Sequence, residues 1–208
     1  MSIESGDQSS ISDPATDRFF AAPAPACLQR VQSFINTRAA GLPVEPDLLA
    51  RPGSANAWLR TFEWPSTPRL TSDDLSPLRD LRQSLQTQLQ SNRDSTQAGQ
   101  TDLARQLEDL SWTMTINTDG QLTLSAVGGG WRQVAGALLG DIFVAQQHEQ
   151  WPRLKACRNR ICSVIFYDSS KNQSRVWCNT QTCGNRINLN RSRRRRREAF
   201  VEDRQTRR

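Results

Sequence analysis

Four of the five cysteines fall in two pairs of equal inner spacing, Cys157-Arg-Asn-Arg-Ile-Cys162 and Cys178-Asn-Thr-Gln-Thr-Cys183, with fifteen residues between the pairs. Thiolates placed this way suit one tetrahedral zinc ion. A tight turn brings both sulfurs of a pair to the metal, and the intervening loop is long enough for a hairpin to return the second pair. Such a zinc is structural, because four protein thiolates leave no open position for water or substrate. Disulfides or free thiols are the alternative, but nothing in the chain suggests secretion, and a loop this polar needs a staple to fold. Within the loop, Val164 to Tyr167 reads as a short strand, Asp168 to Asn172 as its turn and Arg175 to Trp177 as the returning strand. Phe166 and Trp177 would cover the metal as packing in a mini-core too small to stand without it. Base stacking is the other use of such aromatics.

Beyond the last cysteine the chain reads Gly184-Asn185-Arg186, then the uncharged Ile187 to Asn190, then Arg191 and five consecutive arginines, Arg193 to Arg197. In a helix, successive residues advance about 100°, so five arginines surround the axis and cannot all enter one groove. That geometry suits phosphate contacts more than base reading. Arg186, Arg193 and Arg197 share one helical face and are the candidates to face a groove. The candidate nucleic-acid contacts are Arg175, Arg186, Arg191, Arg193, Arg194, Arg195, Arg196 and Arg197. A frayed, solvated tail that serves solubility is the plainer alternative.

The run Leu154-Lys155-Ala-Cys157, Cys162, Phe166-Tyr-Asp168-Ser-Ser170-Lys-Asn172-Gln-Ser174-Arg175-Val-Trp177-Cys178 and Cys183-Gly184-Asn185-Arg186 resembles a CGNR zinc finger. That finger is a bacterial module usually found C-terminal to a domain called ABATE, in proteins described as stress-induced transcription regulators. Parts of the front half are similar to that domain. Phe34-Ile-Asn36-Thr37-Arg38 matches its opening signature, Asp47-Leu-Leu49 with Ala57-Trp58-Leu59 its second helix, and Leu78-Arg79-Asp-Leu81-Arg82 its third. The resemblance implies a zinc-dependent, DNA-binding transcription regulator of stress response. Its N-terminal domain would sense a signal, with an unknown small-molecule effector, or form a homodimer. The family usually continues past Gly-Asn-Arg with alternating basic residues, whereas Ile187 to Asn190 carry no charge here, so the charge lies further downstream.

Charge divides the 208 residues sharply: residues 1–150 sum to −6 and residues 151–208 to +12. A basic rear half behind an acidic front half suggests a polyanion-binding module carried by a domain that does not bind polyanions. Double-stranded DNA is the expected partner on the strength of the resemblance. RNA, or a protein-interaction knuckle whose arginines grip an acidic protein, remain open because charge does not separate them. Residues 1–26 have neither a basic start nor an apolar run, and Val134 to Ala145 is too short and too interrupted to span a bilayer. A cytoplasmic location with no membrane contact is expected. No catalytic constellation is visible: His148 is read as an exposed helical histidine and Cys27 as a small buried apolar residue, so an enzyme is not expected.

The expected fold is α+β, with four parts: a disordered arm over 1–26, an ABATE-like α-rich domain with a small β-hairpin over 27–150, a zinc finger over 151–190, and a basic helix or tail over 191–208. Leu28, Val31 and Ile35 have helical spacing; Asp47 to Thr61 reads as a second helix broken near Pro52-Gly53. Thr71 to Asp74 caps a longer helix with Leu75, Leu78, Leu81, Leu85 and Leu89 on one face. Leu103, Leu107 and Leu110 repeat the pattern, and Asn117-Thr-Asp119-Gly120 is a strong hairpin signal. Gly128 to Gly130 then lead into a helix whose one side carries Trp131, Val134, Leu138, Ile142 and Ala145. The glycines read as a hinge, with anion binding at the helix start as the alternative. Phe19-Phe20 reads as an incidental sticky pair. Zinc removal is expected to unfold residues 153–190 and leave the front domain cooperative.

Overall fold

The computed structural model describes residues 13–64, 68–94, 100–108 and 110–189. Its elements in chain order are α1 (Pro14–Asp17), α2 (Ala26–Asn36), α3 (Pro52–Leu59), α4 (Ser72–Asp94), α5 (Gln100–Glu108), β1 (Trp112–Ile116), β2 (Leu122–Ala126), α6 (Trp131–Gln147), β3 (Leu154–Ala156) and β4 (Ile165–Tyr167). The architecture is α+β, with two small antiparallel hairpins, β1–β2 and β3–β4. Among the described residues, no helix is long and apolar enough to cross a membrane.

Helix α2 is central. Leu28, Val31, Phe34 and Ile35 are fully buried against α4 and α6, as their spacing requires. Its other face is polar yet equally buried: Gln32, Ser33 and Asn36 are at most 1 % exposed. On α4, Leu75, Leu78, Leu81, Leu85 and Leu89 form the expected apolar face. On α6, Val134, Leu138, Ile142 and Ala145 are buried, and Asp141 is gripped by Arg30 of α2 in two bonds of 2.7 and 2.8 Å.

The second helix starts later than expected. Pro52 occupies its first turn, where a missing N–H costs nothing, and it disfavours helical backbone at Arg51. Asp47 instead turns the chain by accepting the Leu49 N–H at 2.8 Å, and it forms a two-point ion pair with Arg82 of α4. The same guanidinium donates to Thr37 Oγ1 at 2.9 Å, so segments far apart in sequence meet at one charge.

The triple glycine is occupied by the chain's own anion. Gly130 has φ +59°, and a Cβ there would sit 2.2 Å from Asp74 Oδ1. That carboxylate accepts the Trp131 N–H at the start of α6, together with the Thr71 N–H and Oγ that cap α4. One side chain thus closes the N-termini of two helices.

Within the arm expected to be disordered over 1–26, the described residues 13–26 are tied to the front helices. Asp13 caps α1 through the Ala15 and Thr16 N–H groups and accepts Ser33 Oγ at 2.6 Å. Arg18 donates to the carbonyls of Ala15, Asn36, Arg38 and Pro46. Phe19 is buried while Phe20 is exposed, so the pair is divided between anchor and surface. Composition concealed this because the anchoring groups are an arginine, an aspartate and small alanines, which show no periodicity.

The rear half joins the front through β3 and β4. The expected partner for Val164 to Tyr167 was Arg175 to Trp177. The structure instead pairs β4 with β3, Leu154 opposite Tyr167 and Ala156 opposite Ile165. Strand alternation then sends Leu154, Ala156 and Ile165 into the core of the front helices, and Phe166 to the cysteine side. The boundary drawn at residue 150 therefore runs through continuous packing, with Trp151 buried on its far side.

Candidate metal centre

Each cysteine pair is closed by an asparagine. In the first turn, Asn159 is buried; its Oδ1 accepts the Ile161 N–H at 3.3 Å and its carbonyl accepts the N–H groups of Cys162 and Ser163. In the second, Asn179 Oδ1 accepts the Gln181 and Thr182 N–H groups, and its carbonyl accepts those of Cys183 and Gly184. Asparagine favours such turns because its side chain imitates a backbone acceptor. The wide helical turn over Thr180–Gly184 leads into helical backbone at residues 185–189.

These turns bring Cys157, Cys162, Cys178 and Cys183 together. All four are buried, and their sulfurs lie within 4.8 Å of one another. Cys162 Sγ is 3.5 Å from Cys178 Sγ, which is 3.8 Å from Cys183 Sγ. Zinc–sulfur bonds of about 2.3 Å place tetrahedral sulfurs about 3.8 Å apart, so the donor set fits one zinc ion. Hydrogen bonds from the Cys162 and Cys178 thiols hold Cys157 far below the ordinary thiol range. The same contact with Cys157 pushes Cys162 and Cys178 up. Four thiolates this close need a dication to coexist, and binding one releases protons. The fifth cysteine, Cys27, stands apart: it is half-buried and bonds Gln150 Oε1 at 2.8 Å.

Around the sulfurs pack Phe19, Ala21, Ala40, Val164 and Phe166, with Trp177 half-buried against them. Phe166 and Trp177 thus sit where a metal cover was expected. A Cβ on Gly184 would lie 3.1 Å from the Trp177 ring, so the residue after the last cysteine is held to a close approach. The front half contributes directly: the Gly41 N–H donates to the Cys162 carbonyl at 3.1 Å, and the Phe19 ring lies over Gly41.

A buried carboxylate organises the loop between the pairs. Asp168 is fully buried and accepts Lys155 Nζ at 2.8 Å, Ser170 Oγ at 2.6 Å, and the N–H groups of Ser170 and Arg175. Burial alone would raise its pKa, but these partners bring it down to about 2. Lys155 Nζ also reaches the Gln173 carbonyl, and Arg153 donates to the carbonyls of Asp168 and Ser170.

The predicted nucleic-acid residues divide. Arg175 is committed internally: its guanidinium donates to the Trp177 and Cys178 carbonyls and lies 5.2 Å from the Phe166 ring centroid. These bonds brace the segment that enters the second pair. Arg186 is exposed on the first turn after the centre. Arg191, Arg193, Arg194, Arg195, Arg196 and Arg197 lie outside the described residues.

Sequence reasoning did not foresee Asn36 beside the centre. Its amide accepts the Ile165 N–H at 2.9 Å and donates to the Ile165 carbonyl at 3.0 Å. Gln32, one turn earlier, donates to the same carbonyl and to that of Ala22. Two amides four residues apart on one face of α2, Gln32 and Asn36, were the available signal.

A buried cluster of four cysteines, closed by paired turns and ringed by aromatics, defines a structural zinc-binding module. Residues 153–196 match the CGNR zinc finger family. No curated protein matches the chain.

Proposed function

We propose that the protein is a zinc-dependent, cytoplasmic transcription regulator of stress response that binds double-stranded DNA through its C-terminal module. The observation that carries this reading is how the chain leaves the metal centre. Gly184 packs under Trp177, and the helical turn that follows starts from a rigid point and presents Arg186 to solvent just before Arg191 and Arg193 to Arg197. The zinc's part is architectural, because four thiolates fill its coordination sphere. It orders the base from which a strongly basic segment meets phosphate.

The front half is read as an ABATE-like domain that senses a signal or pairs two chains. The three stretches that resemble that domain meet where Arg82 bonds Thr37 and Asp47, and Asn36 touches the zinc hairpin. An apolar cavity of about 340 Å³, lined by Leu85, Leu103, Leu107, Trp112, Leu139 and Ile142 among others, is of a size for a small ligand. The hairpin exposes the cross-strand pairs Met114–Leu124 and Ile116–Leu122, an apolar face suited to self-association.

The test is zinc stoichiometry coupled to duplex-DNA titration at two salt concentrations, before and after metal removal. One zinc per chain, with binding that falls steeply with salt and weakens on chelation, is the expected result. Salt-insensitive binding, or binding unchanged when Arg193 to Arg197 become alanine, would overturn it. Partners retained after nuclease treatment would point instead to an acidic protein.

A further inference from the structure

Between residues 153 and 190 stand seven Lys and Arg against one acid, Asp168. The fold divides these cations into two sets. Arg153, Lys155 and Arg175 are turned onto backbone carbonyls and onto Asp168. Arg158, Arg160, Lys171 and Arg186 are exposed, and their side chains have no hydrogen-bond or ion-pair partner among the described residues.

Two of the exposed cations stand on a built platform. Asn159, between Arg158 and Arg160, is buried, and its amide lies 3.6 Å from Cys183 Sγ. Its Oδ1 and carbonyl hold the rest of the turn, while the Arg158 N–H donates to the Val176 carbonyl at 2.9 Å. With Asn159 directed at the metal cluster, its two neighbours are left in solvent. The Asn159–Cys183 contact also sets this turn against the residue that precedes Gly184, Asn185 and Arg186. Lys171 is elsewhere: it lies in the loop held by Arg153 and Asp168, beyond the Leu154–Tyr167 end of the hairpin and opposite the end that enters Cys157.

We propose that Arg158 and Arg160, on the first cysteine turn, contact the sugar–phosphate backbone of duplex DNA beside the helix that begins at Asn185. This rests on the DNA-binding reading above. Cations fixed on a metal-anchored turn contribute affinity and register without reading bases, and each neutralised phosphate adds about 0.9 to the log–log salt slope. The set that binds phosphate then includes the first cysteine turn as well as Arg186 and the arginine run.

The experiment uses the full-length, zinc-loaded protein and a duplex titrated across salt concentrations, comparing wild type with R158Q/R160Q, R158K/R160K and K171Q. The glutamine pair is expected to keep one zinc per chain, lower the slope by about 1.8 and weaken binding on the order of tenfold or more at the lower salt. The lysine pair keeps the slope, and K171Q leaves it unchanged. Wild type that shows no salt-steep binding overturns the DNA-binding reading and this proposal with it. Salt-steep wild type with an unaltered R158Q/R160Q variant overturns this proposal alone, and so does an equal loss in K171Q, which would show that net charge is felt without local contact.

Discussion

Asn36 uses both ends of its amide on one residue of β4, replacing the neighbour strand that Ile165 lacks on that side. Asn36→Ala orphans the buried Ile165 N–H, since Gln32 still serves the carbonyl. A loss of about 1–3 kcal/mol in urea unfolding of the zinc-loaded protein is expected, together with faster zinc release to a chelator. An unchanged release rate would show that this contact does not support the centre. The Asp47–Arg82 pair lies remote from the cysteines and allows a clean pH test. Burial raises the Asp47 carboxyl, but the Arg82 bonds and charge overcome this and hold it below the usual carboxylate range. A lowered folded pKa means stability that is fully present above the unfolded value of about 4 and is lost as pH falls through the folded one. Asp47→Asn is therefore expected to cost about 2–3 kcal/mol at pH 7, with the gap to wild type closing below about pH 4 in acid titrations. The four ligands were legible because thiol spacing is a local property. The roles of Asn36, Arg82 and Arg175 were not, because a polar side chain's partner is chosen by approach in space.

Helices α4 and α6 share a start through Asp74, and the backbone there depends on Gly130. Gly130→Ala must relieve both a left-handed φ and a Cβ placed against the Asp74 carboxylate. A loss of at least about 1–3 kcal/mol is expected, read as a drop in Tm, and Gly129→Ala, with open space around it, serves as the mild control. Equal effects would mean that the glycines matter only for chain entropy. Periodicity located α2, α4, α6 and the β1–β2 hairpin because each has several apolar positions in register with one period. It failed at β3, where Leu154-Lys-Ala156 is too short to display a period. It also failed at residues 175–177, where Val176 and Trp177 meet the first cysteine turn through one backbone bond, from Arg158, and pair with no strand among the described residues.

The zinc centre and the helical front are joined by packing from several directions: Leu154, Ala156 and Ile165 fill the helical core, while Phe19 and Gly41 reach the cysteine side. Free energy supplied by the metal is accordingly felt in α2. Chelation is expected to lower hydrogen-exchange protection of the amides of Ile35 and Asn36 as well as those of residues 154–167. Unchanged protection in α2 would restore the picture of two units that unfold separately. Spacing and composition carried the metal, the α+β content and the uneven charge, because each depends on residue type and short separations along the chain. Which strand pairs with β4, where Arg175 spends its charge, and how the arm and α2 close over the centre depend on contacts between segments up to 145 residues apart, as from Ala22 to Tyr167. Those contacts are made by polar groups and small side chains, whose energy lies in geometry that no local pattern encodes.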